Sequence, residues 1–207
     1  MTSRSGESIG CLTAKYRSAY VTDTPDVSAA TEAALAALTD GGFDYALIGG
    51  LAVILRGHDR YTRDVDALVW ELDDRLDDLA LLLPKYGFRP LTSDELDLSK
   101  STRLLHALWK EEVYVDFMLG LFPFERETLD RATPMDLGHG GMAKVAAPED
   151  LIIMKLIASR DRDIQDVIAL KELYPNLSRE RVRAIVCDYA EALERPDIFE
   201  NLDRWFP

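Results

Sequence analysis

The chain has 207 residues, 47% of them hydrophobic and 29% charged, which is enough for one large domain or two small ones around a buried core. Its net charge of −13 argues against broad nonspecific binding to nucleic acid, which needs Lys and Arg against phosphates, but leaves room for a local basic pocket or a metal site. No apolar run reaches the ~18 residues of a membrane span, and Met1 to Thr13 lacks the basic-then-apolar order of a signal peptide, so a cytoplasmic protein with no membrane partner is expected.

Residues 1–25, rich in Ser, Thr and Gly, are expected to form a flexible segment. Val27 to Leu38 has alanines and leucines at helical spacing, and Gly41-Gly42 ends the helix. Phe43 to Ile48 reads as a short buried strand. Gly49-Gly50 then turns the chain into a short helix, about Leu51 to Arg56. Val65 to Trp70 is a second strand. Glu71 to Lys85 is amphipathic, with Leu72, Leu76, Leu79 and Leu83 on its inner stripe. Leu104 to Trp109 and Val113 to Leu119 read as two strands joined by a Lys110-Glu111-Glu112 turn, and Met142 to Val145 as another. After Pro148 the pattern becomes helical: Pro148 to Ser159, Asp163 to Leu173, Ser178 to Leu193 with Ser178 as N-cap, and Asp197 to Trp205. The fold class is α+β. A small mixed sheet flanked by helices occupies 26–147, and a helical region occupies 148–207.

Asp64 and Asp66 are two residues apart at the start of an apolar strand, so they share one face. They repel each other and lose hydration unless a cation lies between them. Magnesium, which prefers hard oxygen ligands, suits such a pair. Asp116 is the one charge in Val113-Tyr114-Val115-Asp116-Phe117-Met118-Leu119 and fits a third ligand. Gly49-Gly50, between a strand and a helix, suits a triphosphate, and Arg60 and Arg63 could neutralise further phosphate charge. His106 either reaches an acceptor from a neighbouring strand or is a satisfied core residue. Cys11 and Cys187 read as free thiols, and the three histidines lack zinc-site spacing.

Gly49-Gly50-Leu51-Ala52 followed by Arg60-Tyr61-Thr62-Arg63-Asp64-Val65-Asp66 resembles the nucleotidyltransferase superfamily related to DNA polymerase beta. Within it, the pattern is similar to the AbiEii-type toxin branch and its bacterial relatives, and aminoglycoside nucleotidyltransferases share a similar start. A second stretch, Pro148 to Leu156 with Lys155, then Arg160 and Asp163-Ile164-Gln165-Asp166, resembles the superfamily's helical segment. The resemblance implies transfer of an NMP from an NTP to an acceptor hydroxyl with two magnesium ions. It implies Asp64, Asp66 and Asp116 as catalytic metal ligands, and Gly49, Gly50, Arg60, Thr62, Arg63 and Lys155 around the NTP. Arg160, Asp163 and Asp166 lie close by in the same scheme. The residues themselves leave other roles open: Lys155 snorkelling to the surface or paired to Asp163 or Asp166 for stability, Asp163 as a helix cap, and Asp166 paired to Arg160 or Arg162. The acceptor is RNA, protein or a small molecule. A toxin role would bring an antitoxin partner. An aminoglycoside-type enzyme or a non-catalytic nucleotide-binding, partner-neutralising protein are the alternatives.

Overall fold

The computed structural model describes residues 26–70, 75–138 and 141–206. The expected flexible segment 1–25, together with Leu72, lies outside them. Among the described residues no helix is long and apolar enough to cross a membrane.

Helix α1 (Val27–Asp40) starts where the Asp26 carboxylate accepts the Ala29 amide, and it ends at Gly41, followed by Gly42 with φ +64°. Strand β1 (Tyr45–Ile48) leads directly into helix α2 (Gly49–Leu55), so both glycines belong to the helix rather than to a turn before it. Strand β2 (Asp64–Val69) and helix α3 (Leu76–Leu82) follow, and a 3-10 turn over Leu83–Tyr86 closes α3 earlier than its stripe suggested, because Pro84 cannot donate to the next turn. Strand β3 (Phe88–Pro90), helix α4 (Glu95–Thr102), and strands β4 (Leu104–Trp109) and β5 (Val113–Leu119) come next. The β4–β5 turn holds Lys110 and Glu111 at φ +46° and +62°. Helix α5 (Pro123–Arg131), strand β6 (Thr133–Asp136) and strand β7 (Met142–Val145) complete the core. The helical part is α6 (Pro148–Ala158), α7 (Ile164–Leu173), α8 (Arg179–Ala192) and α9 (Pro196–Trp205). The Ser178 hydroxyl caps α8 by accepting the Arg181 amide.

The sheet is mixed, in the order β3-β4-β5-β2-β1-β7-β6. β2 and β5 run parallel at its centre, and β1 and β4 flank them antiparallel. Alternation sends Val65, Ala67 and Val69 of β2, with Val113, Val115, Phe117 and Leu119 of β5, into the buried core, where α1 packs against both strands. The opposite face of the same two strands carries Asp64, Asp66 and Asp116. The helical part is fixed to the sheet by charge. Buried Asp150 on α6 accepts from Arg131 of α5 (3.0 Å) and Arg181 of α8 (2.6 Å). Arg56, just after α2, donates to the carbonyls of Ala146 (2.9 Å) and Val145 (2.7 Å). α2 and α6 also pack directly against each other.

Candidate active site

The register of four neighbouring strands sets the site. Ile48 of β1 lies opposite Asp66 of β2, Asp66 opposite Asp116 of β5, and Asp116 opposite His106 of β4. Because Cα partners on adjacent strands project to the same side, these four residues form one row across the sheet. Asp64 stands two residues from Asp66 on the same face.

Each carboxylate is held by the chain. Thr62 donates its hydroxyl to Asp64. The Gly50 amide donates to Asp66. His106 Nδ1 lies 2.7 Å from Asp116 Oδ1. Gly49 makes room for Asp66: its φ is +64°, and a Cβ built there would come within 1.9 Å of Asp66 Oδ2. The Asp66 carboxyl is pushed up to about 7, first by burial and then by the charges of Asp64 and Asp116. The Gly50 amide and Lys155 pull it down without balancing those effects.

Ile48, Asp66 and Asp116 of the row, with Asp64, floor a cleft of about 270 Å³ between the sheet and α6, which the loop before α7 borders, and His106 stands beside it. Leu104, Met118, Leu151 and Met154 give it an apolar side, and Arg60, Lys155, Arg160 and Arg162 a basic one. Two of these cations are already engaged. Lys155, 7% exposed, binds Asp163 (3.0 Å) and Asp166 (2.6 Å). Arg60 pairs with Asp166, which is 1% exposed and also lies 3.6 Å from His58 Nε2. Arg160 and Arg162 form no ion pair among the described residues and face the cleft from its rim.

The sequence-derived residues therefore separate into groups. Asp64, Asp66, Asp116, Gly49, Gly50, Arg60, Lys155, Arg160 and Asp163 all line the cleft. Thr62 supports Asp64 from beside it. Arg63 does not line it, and its guanidinium stacks on the Tyr61 ring at 5.5 Å. Asp166 does not line it either. It pairs with Lys155 and Arg60 instead of Arg160 or Arg162, and the Asp163 side chain binds Lys155 rather than capping α7. The Gly50 amide, expected to face a phosphate, is directed at Asp66. Sequence reasoning gave Arg162 no place beside a ligand and did not connect His106 with Asp116, because both placements come from contacts between elements distant in the chain.

Among the described residues, no three His, Cys, Asp or Glu side chains already stand together as a ready metal cluster. The donor chemistry nevertheless suits a hard divalent cation. Hard carboxylate oxygens share one cleft, and the central carboxylate carries a repulsion that the protein's own cations leave uncompensated.

A family model described as "Nucleotidyltransferase of unknown function (DUF6036)" matches residues 27–201. The chain belongs to this family. The DUF6036 chain also shares its fold with solved nucleotidyltransferase-like structures. The solution structure of the antibiotic-resistance factor ANT(2'')-Ia aligns over 86% of this chain and 96% of its own, with a TM-score of 0.57 and 17% identity. The same factor crystallised with adenylyl-2''-tobramycin aligns over 80% and 98%, at 0.54 and 16%. An antigenic nucleotidyltransferase-like protein from Paracoccidioides brasiliensis aligns over 87% and 94%, at 0.51 and 21%. At these identities the likeness establishes the fold. No curated protein matches the chain.

Proposed function

We propose that this DUF6036 protein moves a nucleoside monophosphate from an NTP to an acceptor hydroxyl in a magnesium-dependent reaction. The observation that carries the reading is the row of Asp66 and Asp116 in register, with Asp64 beside it, in one cleft whose central carboxyl is pushed up to about 7 by burial and its acidic neighbours. Magnesium held by Asp64, Asp66 and Asp116 would neutralise triphosphate charge and acidify the acceptor hydroxyl.

The chain's own residues do the rest. Thr62, the Gly50 amide and His106 orient the three carboxylates. Arg160 and Arg162 receive phosphate oxygens at the rim, since their charge is not taken up by other side chains among the described residues. Lys155 and Arg60 act from behind by fixing Asp163 and Asp166. The acceptor oxygen forms a bond to the α-phosphorus as the bond to the β-phosphate bridging oxygen breaks, and pyrophosphate leaves. The acceptor's proton passes to solvent, because His106 holds one Asp116 oxygen and the cation would take the other.

The net charge of −13 and the acidic floor favour a neutral or cationic acceptor over RNA. Because ANT(2'')-Ia shares the fold and was crystallised with adenylyl-2''-tobramycin, aminoglycosides are the first small acceptors to try. A toxin acting on RNA or protein is the competing reading.

The test is label transfer. Purified protein, magnesium and each α-labelled NTP are incubated with aminoglycosides, bulk RNA and cell protein, beside Asp64→Ala/Asp66→Ala. Label in one acceptor pool, falling about 10³-fold or more in the variant, supports the proposal and names the acceptor class. Equal transfer by the variant sinks the site. Magnesium-dependent NTP binding with no transfer to any pool supports the nucleotide-binding role instead.

A further inference from the structure

Resting on the reading above, we propose that His106 is the positioning residue for Asp116: its ring fixes one carboxylate oxygen and leaves the other to a divalent cation in the cleft. A carboxylate accepts hydrogen bonds, so Nδ1 carries the proton and donates across the 2.7 Å separation to Oδ1. The bond is built into the sheet, because His106 and Asp116 are direct partners in the β4–β5 ladder. The backbone of His106 is itself secured. Its amide donates to Glu95 Oε1 at 2.9 Å, and Glu95, 2% exposed, receives the Thr92 hydroxyl on its other oxygen at 3.1 Å. Both backbone groups of His106 are therefore held, its amide by the buried Glu95 carboxylate and its carbonyl by the Leu91 amide just past β3 at 3.0 Å.

The side chains themselves are open, His106 37% exposed and Asp116 30%. A pair this accessible adds little to stability. It does fix the direction of Asp116, which the cleft needs. A single carboxylate flanked by Asp66 on one side would otherwise rotate away from the repulsion. Hydrogen bonds that orient ligating carboxylates are worth 10–100-fold in metal affinity or activity.

The experiment uses Mn²⁺ as an EPR-visible probe, titrated into the full chain with saturating α,β-methylene ATP, whose α-phosphate cannot be transferred. Asparagine places its amide nitrogen where Nδ1 sits, whereas glutamine places it where Nε2 sits. His106→Ala should weaken Mn²⁺ binding about 10–100-fold. His106→Asn should recover affinity to within about threefold of wild type, and His106→Gln should stay near the alanine variant. Wild-type affinity in His106→Ala, or equal affinities in His106→Asn and His106→Gln, overturns the positioning role while leaving the metal-dependent reading intact. Failure of wild-type protein itself to bind Mn²⁺ overturns that reading, and the positioning role with it. The asparagine–glutamine contrast holds its meaning even if alanine perturbs folding, since both amides fill comparable space.

Discussion

Two acidic groups, one on the floor of the cleft and one at its edge and behind it, are treated in opposite ways. Asp163, just before α7, and Asp166, in its first turn, are answered charge for charge by Lys155 and Arg60. Asp64, Asp66 and Asp116, on β2 and β5, are held by the Thr62 hydroxyl, the Gly50 amide and the His106 ring, and among the described residues no Lys or Arg forms an ion pair with them. As a result Asp66 is pushed up to about 7 by burial and its two neighbours. The first group is a buried ion-pair network, in which removing one member strands the others. The second is a repulsion that folding tolerates and a bound cation would relieve. The contrast separates acids whose charge is spent on ion pairs from acids whose charge the proposed reading assigns to a cation, although all of them read as negative residues near one site.

The largest expected effect that sharpens this contrast is a dependence on pH. An unfolded Asp66 gives up its proton near 3.8 and the folded one near 7. Between those values the folded chain holds the extra proton, so metal-free stability falls as pH rises, by about 4 kcal/mol at most from this group. Urea unfolding across pH 4–8, with and without Mg²⁺, should show that decline and its recovery by the metal. Stability that rises with pH in the metal-free protein, after correction for the other carboxylates, breaks the contrast.

A smaller effect is expected at the residue that seats Asp66. In Gly49→Ala the new methyl would fall 1.9 Å from Asp66 Oδ2 at a φ of +64°. The left-handed backbone costs about 1–3 kcal/mol, and displacing Asp66 by an ångström costs label transfer about 100-fold. Thermal melts and transfer rates, run together, should both move. Transfer at the wild-type rate would mean that Asp66 need not sit where it does.

Much of this was legible in the sequence. β4, β5 and β7 match their expected bounds, because each is an apolar run between clear turn residues. α1 and the four helices after Ala147 match to within about two residues, because their periodic stripes are long. Four elements were not legible. β3 has three residues and β6 four on an edge, α4 alternates Leu96 and Leu98 with acids in a strand-like pattern, and α5 is dominated by charge. The placement of Asp64, Asp66 and Asp116 on one face was readable from two-residue spacing and an isolated charge in an apolar strand. The partners were not. Asp166 meets Arg60 across 106 positions of chain, and His106 meets Asp116 only through the β4–β5 register. Local pattern shows that a charge needs an answer, while packing decides which residue supplies it.

Metal-free urea unfolding at pH 8 of Asp66→Asn beside Asp166→Asn sets the two acidic groups directly against each other. Both substitutions remove one buried charge of nearly the same shape. The two variants should shift stability in opposite directions. Asp66→Asn should gain on the order of 2 kcal/mol, because repulsion and desolvation vanish while the Gly50 amide keeps an acceptor. Asp166→Asn should lose about 3–5 kcal/mol, because Lys155 and Arg60 are left without their shared counter-ion. If both variants lose stability alike, the Asp64, Asp66 and Asp116 row is as structural as the network behind it, and the case for a cation-binding transferase site is contradicted.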